Sequence, residues 1–135
     1  MSTFVNITIL GVPIAKGRPR MGRNGHIYTP ERTRSAEETL GWAMRQQCPE
    51  PMDGLLEVTI WFEFRAGSDH HKAERERMEA SNTFRGGKPD LDNLVKTVMD
   101  AANGILWNDD AQVVRIEATK TYGEEALTGI EVHRL

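Results

Sequence analysis

Apolar and polar residues alternate with a period of two in three places along the chain. The clearest stretch runs from Gly54 to Arg65, where Leu56, Val58, Ile60, Phe62 and Phe64 alternate with Glu57, Thr59 and Glu63, the signature of a half-buried strand. Thr3 to Leu10 repeats it with Val5, Ile7 and Ile9 against Asn6 and Thr8. Gln112 to Tyr122 does so again, with Val114, Ile116 and Ala118 expected inward, and Thr128 to Leu135 completes the strands. Twice the period lengthens to that of a helix. Thr29-Pro30-Glu31 is a helix opening, with a hydroxyl cap, a proline at the first position and an acid at the positive dipole end. This helix is predicted to reach about Gln47, burying Ala36, Leu40, Ala43 and Met44, before Cys48-Pro49-Glu50-Pro51 stops it. The second, from Leu91 to about Asn103, buries Leu94, Val95, Val98, Met99 and Ala102, and Asn103-Gly104 is its stop.

Between these elements the pattern fades. Residues 11–28 read as a loop or irregular hairpin, because Gly and Pro recur every few positions. Residues 66–89 are highly charged, with a short exposed helix expected around Glu74 to Arg77. The order β-α-β-α-β-β predicts an α/β chain of the mixed α+β kind, residues 1–135 forming a single domain: a mixed sheet with two main helices packed on it.

Composition narrows the class. A chain of 135 residues can bury a real core without disulfides, and the single Cys48 rules out an intramolecular one. No apolar run approaches membrane-spanning length and no signal-peptide pattern opens the chain, so a soluble, cytoplasmic protein without membrane contact is expected. The net charge of -3 hides an asymmetry. Residues 1–30 carry Lys16, Arg18, Arg20 and Arg23 and no acid; these four and Lys88 are candidate phosphate contacts.

The acidic residues of interest are Asp90, Asp92, Asp109 and Asp110, all at predicted element ends. Singly, each has an ordinary explanation. Asp90 precedes a helix as a cap would, Asp92 lies in its first turn, and Asp92 and Lys96 are spaced for a surface ion pair. Together they suit a divalent cation. If the strand after Asn108-Asp109-Asp110 runs back beside the helix start, Asp109 or Asp110 joins Asp90 and Asp92 as a ligand, with Lys96 beside a phosphate. His70-His71 is expected to be exposed loop, and Trp107 a buried aromatic next to a turn. Trp61, on the more polar face of its strand, is expected to cover a helix or mark a subunit interface.

Lys88-Pro89-Asp90-Leu91-Asp92-Asn93-Leu94-Val95-Lys96, followed by Trp107-Asn108-Asp109-Asp110-Ala111-Gln112-Val113-Val114, resembles the RusA-type Holliday junction resolvases. So do Pro13-x-x-Lys16-Gly17-Arg18-Pro19-Arg20 and Tyr28-Thr29-Pro30. The resemblance implies a homodimeric endonuclease of α/β fold that cuts four-way DNA junctions symmetrically, for recombination and repair, using magnesium, with manganese as a substitute. It makes Asp90, Asp92 and Asp110 the essential, metal-binding carboxylates, Lys96 the essential lysine and Asp109 a supporting group. A broader branched-DNA nuclease and a non-catalytic junction- or single-strand-binding protein are the alternatives. Where some members carry a continuous arginine run before the first aspartate, only Arg85 and Lys88 stand here.

Overall fold

A computed structural model describes residues 3–15, 20–21, 27–28, 31–68 and 70–135, giving the backbone alone at 20–21, 27–28 and 31–35. Lys16, Arg18, Arg23 and the Thr29-Pro30 helix opening lie outside the described residues, and of Arg20 only the backbone is described.

The predicted alternation forms a four-stranded sheet. Its strands are β1 (Phe4–Leu10), β4 (Leu56–Phe64), β5 (Val113–Tyr122) and β6 (Leu127–Arg134), in the spatial order β1-β6-β4-β5. β6 runs antiparallel to both β1 and β4, while β4 and β5 are parallel, so the sheet is mixed as expected. Two-residue strands β2 (Arg20–Met21) and β3 (Ile27–Tyr28) pair as a separate antiparallel hairpin. The helices are α1 (Glu31–Gln47), α2 (Lys72–Ala80) and α3 (Leu91–Ala102).

α1 and α3 pack against each other and cover one face of the sheet. The alternate residues Leu56, Val58, Ile60, Phe62 and Phe64 of β4 are buried there with Ile7, Ile130 and Val132. Met44, Leu94, Val98, Ala102, Leu106 and Trp107 meet them from the helix side. Trp107 is fully buried. α3 ends where expected: Asn103 is its C-cap and Gly104 follows at φ +83°, a left-handed conformation that glycine adopts without strain.

The other face of the sheet carries Glu57, Thr59, Trp61 and Glu63 from β4, opposite His133, Glu131, Gly129 and Leu127 of β6. The Trp61 indole crosses Gly129, where any Cβ would stand 2.0 Å from the ring. It covers a neighbouring strand rather than a helix.

One predicted pattern needs correction. Val114 and Ile116 were expected inward, yet they are 55% and 43% exposed. β5 is the edge strand of the sheet, and α3 covers it only in part. It also carries an extra residue, because Leu56 and Glu57 pair with Val113 and Arg115 and skip Val114. Ile116 shares the face of its partner Val58 but reaches the rim.

Candidate functional site

Asp90 occupies the N-cap of α3 with extended backbone (φ -67°, ψ 142°), yet its side chain makes no capping hydrogen bond. One carboxylate oxygen instead accepts from Lys88 Nζ at 3.0 Å. Asp92 is exposed in the first turn, and among the described residues neither it nor Lys96 forms an ion pair. The ordinary explanations of these residues, a capping carboxylate and a surface Asp92–Lys96 pair, are therefore not realised. Two carboxylates stand at the positive end of a helix dipole, with Lys96 one turn further along.

The approach to Asp90 is built from residues that the alternating pattern did not single out. Lys120, on β5, donates from Nζ to the carbonyl of Pro89 at 2.7 Å and to that of Gly87. Arg85 donates to the Lys88 carbonyl at 2.8 Å, and its guanidinium lies 4.2 Å from the centre of the Phe64 ring. Burial pushes the Lys120 ammonium below the usual lysine range; the Arg85 and Lys88 charges add to this and Asp90 opposes it. A signal existed: Lys120 shares the strand parity of Ile116 and Ala118, so a lysine stands on the face expected to be apolar.

The Asp109-Asp110 turn is a second, separate construction. Asp109 is the N-cap of a one-turn 3-10 helix, Asp110–Gln112, and accepts from the Ala111 amide at 2.9 Å. Gln112 Oε1 reciprocates by accepting from the Asn108 and Asp109 amides, while its Nε2 donates to the Met52 and Gly54 carbonyls. Asp109 and Gln112 thus form a reciprocal capping box. Asp110 accepts from the Trp107 indole N–H at 2.7 Å, and its own amide donates to Asn103 Oδ1 at 3.1 Å.

These bonds place Asp110 at the C-terminal end of α3, beside the C-cap Asn103. Asp92 is eleven residues from Asn103 along the helix, about 16 Å at 1.5 Å per residue. The strand does return beside α3, but Asp109 and Asp110 stand at its start, and it is Lys120 that reaches the helix N-terminus. Within one chain Asp110 does not join Asp90 and Asp92, and among the described residues no three His, Cys, Asp or Glu are gathered closely enough to hold a metal ion. No described helix is long and apolar enough to cross a membrane.

A small mixed α+β domain with paired carboxylates at a helix start is consistent with a phosphodiester-cleaving protein. The sequence matches the family described as Endodeoxyribonuclease RusA over residues 11–133, nearly the whole chain, and the protein belongs to that family of endodeoxyribonucleases. It is also similar to the uncharacterized protein YqaN of Bacillus subtilis (strain 168), at 32% identity over 127 residues that cover 90% of this chain and 89% of the relative.

Proposed function

We propose that this protein is a magnesium-dependent, structure-selective endodeoxyribonuclease that resolves four-way DNA junctions as a homodimer. Asp90 carries the proposal: it stands where a cap stands and does not cap, so it and Asp92, which makes no ion pair among the described residues, are two hard oxygen donors at one helix end. That donor set fits magnesium, which takes one or two carboxylates and keeps waters and phosphate oxygens in its other positions. A bound magnesium ion supplies charge relief on the scissile phosphate and a more acidic water. Asp90 and Asp92 hold and orient that ion against the strand. Lys96, on the same helix and without a carboxylate partner among the described residues, lends a fixed positive charge to the phosphate as negative charge builds in the transition state. Lys88 and the basic residues Lys16, Arg18, Arg20 and Arg23 grip flanking phosphates.

The test is cleavage of a labelled immobile four-way junction against linear duplex, with and without magnesium, beside Asp92→Asn. Paired nicks confined to the junction and lost in the variant are expected. Equal cutting of forks and flaps would widen the substrate class to branched DNA. Tight binding without cutting in any divalent metal would overturn the enzyme.

A further inference from the structure

We infer that Lys120 is a positioning residue of the proposed site. By holding the Gly87 and Pro89 carbonyls it fixes the turn before α3 in the form that keeps the Asp90 carboxylate off the helix amides and open to a metal ion. The inference rests on the proposed function and adds to it a residue that acts through Asp90.

Asp90 has two competing uses. Its backbone, at φ -67° and ψ 142°, is that of a helix cap. A capping side chain accepts from the second or third helical amide, here Asp92 or Asn93. The Asp90 carboxylate turns instead to Lys88 Nζ at 3.0 Å. The Lys88 side chain is 86% exposed, and an exposed ion pair contributes no more than a cap does. The ion pair alone therefore does not decide where the carboxylate points; the path of the turn does.

That path is pinned carbonyl by carbonyl. Lys120 Nζ donates to those of Gly87 and Pro89, and Arg85 donates to that of Lys88 between them. The Lys120 carbonyl in turn accepts from the Arg85 amide at 3.0 Å, so one residue of β5 ties the turn through main chain and side chain. Packing does little here. A Cβ at Gly86 or Gly87 would meet no atom within 4 Å, and Gly87 stands at φ +78°, a stretch of chain that hydrogen bonds must direct.

The position of Lys120 carries a cost that packing does not explain. It stands on β5 opposite Phe62, which is 1% exposed, on the face that α3 covers in part. An ammonium group on such a face is unfavourable unless it is paired. Among the described residues its partners are the two carbonyls, and it forms no ion pair. A methionine would cover Phe62 without that cost, but it would hold neither carbonyl.

The test begins without metal, on the full-length protein. Released from Lys120, the turn lets Asp90 fall back into the cap. Amide hydrogen exchange at Asp92 or Asn93 in Lys120→Met is therefore expected to slow by about fivefold, the contribution of one cap bond. The slowing should vanish when Asp90→Ala is added, because no capping carboxylate is left. Lys120→Gln, also uncharged but polar, gives the same reading should the methionine variant not fold. Unchanged exchange, or slowing that survives Asp90→Ala, overturns the inference.

The second arm titrates the metal. A carboxylate engaged in a cap part of the time lowers apparent affinity by the fraction withdrawn. Manganese binding by Lys120→Met, followed by the electron spin resonance of the free ion, should thus weaken by the same factor. The magnesium concentration that half-saturates junction cutting should rise likewise, while the rate at saturating magnesium stays near wild type, since the ion reclaims Asp90. A rate that stays low at saturation would make Lys120 part of the chemistry and overturn a positioning role. Wild type that binds no metal and cuts no junction would sink the proposed function instead, and the exchange measurement would still judge Lys120.

Discussion

Asp90 and Asp109 have the same residue type and the same position before a helix, and opposite uses. Asp109 caps its turn and is locked into a reciprocal box with Gln112; Asp90 leaves the amides of α3 uncapped. Asp109→Ala is therefore expected to lower stability by about 1 kcal/mol in a urea melt, while Asp90→Asn leaves the midpoint within about 0.5 kcal/mol. Under the proposed function cleavage is expected to behave in reverse, with Asp90→Asn and Lys96→Met each lowering the junction-cutting rate on the order of a hundredfold or more. From the residues alone only Asp90 stood before a predicted helix, whereas the 3-10 turn that Asp109 caps carries no periodic signal. What separates them is the backbone each side chain meets. Trp107 was legible as buried, but its indole bond to Asp110 was not, because it depends on how the loop after α3 closes. Trp107→Phe should keep the fold, lose about 1 kcal/mol and free the Asp110 carboxylate, which cleavage kinetics would register.

Among the elements, those with strong periodicity were readable to within two residues at the described ends: β4, α3, β5 and β6 all fall where alternation or helical spacing placed them. The rest was less so. Residues 66–89 gave only a hint of a helix, and α2 is there, with few apolar residues to announce it. A side-chain pair invisible to pattern helps hold it: Glu79, buried near its end, accepts from Arg65 Nε and from the Ala66 amide at 2.9 Å. The Arg65 hydrogen bond and then the Ala66 amide hold the Glu79 carboxyl below the usual range. A carboxyl with a lowered folded pKa stabilises the protein above its unfolded value, about 4.3, and that contribution fades as pH falls through the folded value. Wild type should thus lose stability between about pH 4.3 and more acid conditions by a margin that Glu79→Gln lacks, seen as converging melting temperatures of the two proteins. The inward expectation for Val114 and Ile116 failed for a different reason. Parity tells which residues share a face, not whether another layer covers the edge of that face.

At the scale of the whole molecule, charge separates the two sides of the sheet. The face turned away from α1 and α3 carries Glu57, Glu63, Glu117 and Glu131 against Arg115 and His133, a surface that repels a phosphate backbone. Lys88, Lys96, Lys120 and Arg85 gather instead around the start of α3, beside the carboxylates proposed to hold the ion. DNA should therefore approach the helix side, and the acidic face should stay clear of it. Binding measured across a salt series separates contacts from bystanders, because each phosphate contact contributes about one to the slope of log K against log salt. In an Asp92→Asn background, expected to prevent cutting under the proposed function, neutralising Lys88, Lys16, Arg18, Arg20 or Arg23 should each flatten the slope for junction binding by about one. Glu63→Gln, on the far face, should leave the slope alone. The two sets of variants change the net charge by comparable amounts, so a general effect of charge would move both, and only local phosphate contacts would move the first set alone. A slope altered equally by Glu63→Gln would mean that DNA wraps the sheet as well as the helix side, and the acidic face would then need its own account.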